Sequence, residues 1–238
     1  EEATSDPSSS PQIDLFAGCS TRWRYDPERG DELYAFPDDY YRVSGSEERA
    51  AYIRIDEERA PWISRVPRFT TRSFSTFEMI DGYGLNAGIF LRFTHPISPP
   101  PEGGEASLSA DRLMLVAFTD SGVRRIPYQA RLGDEGHDLY MRPLRPLDSG
   151  AQHAVVMTDA YLDAEGGCVR PSASFEEMLK MGADSRIATG LDLLSTHMEL
   201  DQRSIVAMLP FTTHTKLDLM AEVAQDIQRH DYQWLTPP

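Results

Sequence analysis

The sequence predicts a mainly β protein: an antiparallel sandwich carrying a helical insertion and a C-terminal helix. Residues 88–94, 112–118, 125–132, 138–142 and 152–158 read as successive short strands. Turn formers separate them at Asp120, Ser121 and Gly122, between Gly133 and Gly136, and at Asp148, Ser149 and Gly150. Glycine accepts positive φ there, and Asp or Ser bonds to nearby backbone. Short strands at this spacing are the mark of a sandwich or barrel.

The strands themselves rest on period-two alternation. Ile89, Leu91 and Phe93 share one side of their strand and Arg92 takes the other, while Ile126, Tyr128, Ala130 and Leu132 alternate with Gln129 and Arg131. One face is dry and one wet. The run from Leu113 to Phe118 has no polar break, which suits a central strand buried on both sides.

Taken in order, residues 1–32 are expected to be a flexible segment, with an acidic, Ser- and Pro-rich start fit for the mature end of an exported protein. Leu15 to Cys19 superficially looks like a lipoprotein cleavage box, but no apolar segment precedes it, so lipidation at Cys19 is rejected. Residues 33–84 form an extension packed on the sandwich. Within it Pro37, Asp38 and Asp39 make a turn, Ile53 and Ile55 point inward from a strand, and residues 75–80 form a helical turn or two. Gly82 and Gly84 then permit a sharp re-entry into the core. The sandwich spans 85–214, and its Pro-rich stretch 96–104 is a loop because proline donates no hydrogen bond. The helical insertion spans 172–200: Ser174 and Glu177 form a capping box, and Ile187, Leu191, Leu194 and Met198 form one apolar stripe. Residues 204–213 return to strand, and 215–238 form the terminal helix and tail.

A net charge of -15 opposes nonspecific binding to nucleic acid or anionic lipid, which depends on basic surface. It fits a solubilising acidic surface and permits basic partners. No apolar run approaches the ~20 residues of a membrane helix. Cys19 and Cys168 are the only cysteines. They are either one bridge in an oxidising compartment or two small buried apolar side chains.

Several motifs resemble a bacterial Ig-like domain of the surface-layer type. They are the strand ending at Thr94 before Pro96, the Pro143 to Leu147 run, the Asp148 to Gly150 turn, the strand to Thr158, the Asp163 to Gly167 turn and the closing Phe211, Thr212 and Thr213. Together with Phe36 to Asp39 and Asp81 to Gly84, the order is similar to the N-terminal region of secreted virulence-factor-type bacterial lipases. The resemblance implies an Ig-like sandwich and an accessory or standalone binding module. His153 stands where the pattern usually has Tyr, and no Gly-x-Ser-x-Gly elbow occurs in these 238 residues.

For chemistry the sequence offers little, and no catalytic residue is assigned. The histidines at 95, 137, 153, 197, 214 and 230 lack paired spacing. Asp159, Asp163 and Glu165 are the candidate calcium ligands, since an acidic loop at the end of a sandwich can supply several oxygens. Their spacing is not that of an EF-hand, and a solvated acidic turn is the simpler reading. The expected function is a noncatalytic, exported Ig-like interaction module, periplasmic, surface-bound or extracellular, with a protein partner or an envelope assembly. The alternatives are an accessory N-terminal part of a secreted lipase or esterase and a structural subunit of an envelope assembly.

Overall fold

The computed structural model describes residues 16–47, 50–67, 80–181 and 185–215, with Asp226 and Arg229. The strands are β1 (Thr21–Arg24), β2 (Ala35–Phe36), β3 (Arg42–Val43), β4 (Tyr52–Ile53), β5 (Ile89–Phe93), β6 (Leu113–Thr119), β7 (Gly122–Arg125), β8 (Tyr128–Leu132), β9 (Asp138–Pro143), β10 (Gln152–Thr158), β11 (Val169–Arg170) and β12 (Ile205–Thr212). Helices α1 (Ala173–Met181) and α2 (Ser185–Met198) lie between β11 and β12.

One sheet has the order β11-β1-β5-β9-β8, with β2 also on β5, and the other β12-β10-β6-β7. Counting the principal strands in chain order, these are A-B-E-D and G-F-C-C′, the order of an immunoglobulin-type sandwich. Pairing is antiparallel except for β1 with β11, which is parallel. The two layers share one core, and the buried Tyr128 hydroxyl crosses it to donate to the Leu113 carbonyl at 2.7 Å.

Two expectations about strands change. The flexible segment was set to reach residue 32, yet β1 is the first strand of the sandwich and its Trp23 is fully buried against Tyr25 and Phe175. Only four residues of alternating apolar character mark that strand, too few to stand out from the irregular sequence around them. The single strand expected over 125–132 is two strands in different sheets. The Ile126 amide still bonds β6 through the Leu115 carbonyl at 2.8 Å, whereas Tyr128 pairs with Pro143 of β9. Pro127 sits at the change of sheet, where its missing amide hydrogen interrupts neither ladder.

The helical insertion lies where expected and covers the second sheet. Ile187, Leu191 and Leu194 are buried, and Gly190 brings α2 so close that a Cβ there would meet Met208 and Phe118. The cap of α1 is Ser172 rather than Ser174: its Oγ accepts from the Phe175 amide at 3.0 Å. The helix begins two residues earlier, at Ala173, because Pro171 ends the extended segment just before it. The helical turns expected over 75–80 fall, except for Ile80, outside the described residues. So does most of the C-terminal helix, of which Asp226 and Arg229 are helical.

The extension closes one end of the sandwich by capping the free edge of β12. The Thr212 amide donates to Asp39 Oδ1 at 2.8 Å and its carbonyl accepts from the Tyr83 amide at 2.8 Å. Two residues back along the same edge stands Pro210, which offers no donor. Tyr83 thereby pairs in parallel with Thr213. This approach needs Gly82, whose added Cβ would lie 2.5 Å from the Thr213 carbonyl carbon. At Gly84 an added Cβ meets nothing within 4 Å. Gly82→Ala is expected to cost about 1–3 kcal/mol through overpacking against rigid backbone, and Gly84→Ala no more than about 0.5 kcal/mol; urea unfolding of the two variants checks the contrast.

Candidate functional site

The solvent face of the first sheet is where chemistry-bearing side chains gather in register. On β1, β5, β8 and β9 the apolar positions point inward, as alternation requires. The outward positions carry Arg22, Arg24, Arg92, Arg131 and Arg142 against one acid, Asp138. Phe90 and Tyr140, cross-strand partners, add aromatic rings with centroids 5.4 Å apart. Arg24, Arg92, Arg131 and Tyr140 of this face line an open hollow of about 700 Å³ together with the carboxylates of Asp134, Glu135 and Asp138.

The arginines differ in what holds them. Arg92 is saturated: its Nε and one terminal nitrogen bond the two oxygens of Asp138 at 2.7 and 3.0 Å, and the other terminal nitrogen bonds Glu32 at 2.7 Å. The Asp138 hydrogen bonds hold its guanidinium pKa well above the ordinary value. Arg131 instead lies over the Tyr140 ring at 4.9 Å, and Arg24 over Tyr34 at 4.2 Å with a hydrogen bond to the Tyr34 hydroxyl. Such stacking fixes the plane of a guanidinium while leaving N–H groups on its edge for an anion. Arg142 bonds the neutral Gln129 amide oxygen at 2.6 Å, so its charge is not cancelled there.

The sequence-predicted residues go elsewhere. Cys19 and Cys168 are joined, with Cα atoms 5.0 Å apart, and tie the residues before β1 to those before β11 across 149 positions. Asp159, Asp163 and Glu165 do not converge. Asp159 and Glu165 are exposed, whereas Asp163 is buried and turned inward. Its Oδ1 accepts from the amides of Gly167 at 2.7 Å and Glu165 at 3.0 Å, and its Oδ2 from the Thr21 hydroxyl at 3.0 Å. Among the described residues no three His, Cys, Asp or Glu side chains form a group suited to a metal ion. Asp163 thus folds its own loop and fastens it to β1. Asp163→Ala is expected to cost roughly 2–3 kcal/mol, since it strands buried donors. Millimolar calcium is expected to leave the melting temperature of the wild type unchanged, read by thermal denaturation with and without the ion.

Of the histidines, His153 has the most unusual setting. It is fully buried on β10, stacked on Phe211 at 5.6 Å, with Nδ1 3.0 Å from the Ala151 carbonyl. Nε2 has no hydrogen-bond partner among the described residues. Burial pushes its pKa down from 6.5 to about 4. The ring fills the place of the Tyr in the Ig-like pattern as a neutral flat packing group. The unfolded chain takes up the proton near pH 6.5 and the folded one only near 4, so the contribution is complete above 6.5. It is lost as pH falls towards 4, by up to about 3 kcal/mol at about 1.4 kcal/mol per pH unit. Against His153→Phe, urea unfolding across pH 7.5 to 4 is expected to show wild type losing that increment relative to the variant.

No family model matches the sequence, and no curated protein matches it. Among solved structures, the surface layer protein SbsC, domains 1-6, matches over 48% of this chain and 17% of that chain, with 11% identity and a TM-score of 0.26. The S-layer protein rSbsC(31-844) matches over 50% of this chain and 16% of that one, with 12% identity and a TM-score of 0.27. This chain therefore overlays less than a fifth of the length of either.

Proposed function

We propose that the chain is a noncatalytic, exported interaction module of the bacterial cell envelope or extracellular space, of Ig-like type. The observation that carries this is the inequality of the two sheets. In the second, β6, β10 and β12 are apolar on both sides and α2 packs on the sheet, whereas the first presents arginines and aromatic rings to solvent among the described residues. A sheet face with that chemistry suits recognition. The Cys19–Cys168 bond supports export, because disulfides persist in oxidising compartments. Support for a noncatalytic role comes from how its buried acids are used: Asp38, Asp39, Asp81 and Asp163 accept from amides and hydroxyls that hold the fold.

The two alternatives, an accessory part of a secreted lipase and a subunit of an envelope assembly, would use the same surface. The test is cosedimentation of the oxidised full chain with purified bacterial envelopes, run beside turnover assays on ester, glycoside and peptide substrates. Saturable, salt-sensitive cosedimentation is expected, with no turnover. Turnover abolished by one point substitution would overturn the proposal, as would failure to sediment with any envelope preparation.

A further inference from the structure

We infer that the Cys19–Cys168 bond is a redox latch: it holds β11 against β1, and its reduction by a dithiol releases β11 and α1 from the first sheet while the rest of the sandwich stays folded. The inference goes beyond the interaction-module reading and does not rest on it.

The junction between β1 and β11 is weak in several respects at one spot. Only Thr21 with Val169 and Arg22 with Arg170 join the strands, and β11 has no other neighbour in the sheet. Arg22 and Arg170 are like charges in register, which destabilises strand pairing. Glu176 answers Arg170 at 2.8 Å, whereas Arg22 has no acid partner among the described residues. Trp23 Nε1 and Arg170 Nε are buried donors with no hydrogen-bond partner among the described residues. Unpaired burial costs free energy that is recovered when the strands part and water reaches both groups.

Against these costs stands one covalent bond. Cys168 immediately precedes Val169 and Cys19 lies just ahead of Thr21, so the disulfide closes the junction at its first residue pair. The rest of the sandwich has no such dependence. β10 pairs with β6 and β12 along nearly its whole length. The loop ahead of Cys168 is held by the Thr21 hydroxyl, which donates to Asp163, and by backbone bonds to Pro96 and Ser98. Opening therefore starts at Val169 and runs into α1, whose Phe175 meets the Trp23 ring edge-on. α2 stays on the second sheet, where Gly190 meets Met208 and Phe118. Once open, β1 becomes the outer strand of its sheet and the Trp23 indole is accessible to water.

Both cysteines are half-buried, so a thiolate reaches the bond from solvent. The reductant's thiolate attacks one sulfur, and the other leaves as a thiolate and takes a proton. The reductant's second thiol then displaces the protein sulfur, so the protein gains two thiols and the reductant becomes a disulfide.

Amide hydrogen exchange with mass spectrometry tests this on the full chain when oxidised, when reduced with dithiothreitol, and as the Cys19→Ser/Cys168→Ser variant. These are the only cysteines, so the reductant acts nowhere else. Exchange over residues 169–181 is expected to rise about tenfold or more in the reduced chain and in the variant, with β10 and β12 as protected as before. Reoxidation of the reduced chain restores slow exchange. In the reduced chain, Arg22→Glu is expected to slow exchange over 169–181 severalfold, since an acid then faces Arg170. Resistance of the native bond to dithiothreitol, unchanged exchange over 169–181, or loss of protection in β10 and β12 along with it overturns the inference. So does reduced Arg22→Glu protein that exchanges there as fast as the unsubstituted reduced chain.

Discussion

Three of the four strands of the second sheet, β6, β10 and β12, are dry on both sides, and the rest of the molecule is arranged to meet that constraint. β6, β10 and β12 bury almost every side chain they carry. An apolar sheet left open to water on one face loses the stabilisation of all that surface, of order 25 cal/mol for each Å². The first sheet covers one side. The insertion between β11 and β12 covers the other, with the Ile187, Leu191 and Leu194 stripe of α2 facing it. Once the helices are committed there, the first sheet keeps its outer face in solvent, and its outward positions become free to carry charge.

The acids nearest the core serve the same constraint at the ends of the layers. A sandwich leaves unpaired amides where its edge strands stop, and β12 is a long edge. Asp39 takes the Thr212 amide, Asp81 takes the Thr215 amide at 3.0 Å, and Asp163 folds the loop leading to β11. A carboxylate serves better than a neutral group here because charge-assisted hydrogen bonds are shorter and stronger. Asp38 meanwhile accepts from the buried Tyr25 hydroxyl at 2.8 Å, so the turn at Pro37 binds the extension to the strand side of the core. Asp38, Asp39 and Asp81 thus act at the Thr212 end of the sandwich, whereas Asp163 acts at the opposite end, in the loop that follows Thr158.

How legible this was depends on range. Strong local patterns survive intact: β5, β6, β9, β10 and the two helices lie where alternation, apolar runs and helical spacing put them. Short-range signals fail where a decision belongs to the tertiary structure. The four residues of β1 look like loop until Trp23 finds Phe175, more than a hundred positions away. Pro127 looks compatible with one strand until the two halves are seen in different sheets. Asp163 has a ligand's chemistry and a cap's geometry, and only the placement of Thr21 and the Gly167 amide distinguishes them. The arginine face was half visible, since Arg92, Arg131 and Arg142 fall on the wet side of strands read from sequence. What sequence could not supply was the order of strands that sets them side by side.

That order also explains how several arginines share one sheet face. Like charges directly opposite one another on neighbouring strands destabilise a sheet, and Arg24 stands opposite Arg92. The pair is tolerable because Asp138 and Glu32 neutralise Arg92 and the Tyr34 ring takes the Arg24 guanidinium. Arg131 has the same arrangement on Tyr140. Rings in place of acids therefore hold these two guanidiniums on strands where Asp138 is already committed to Arg92.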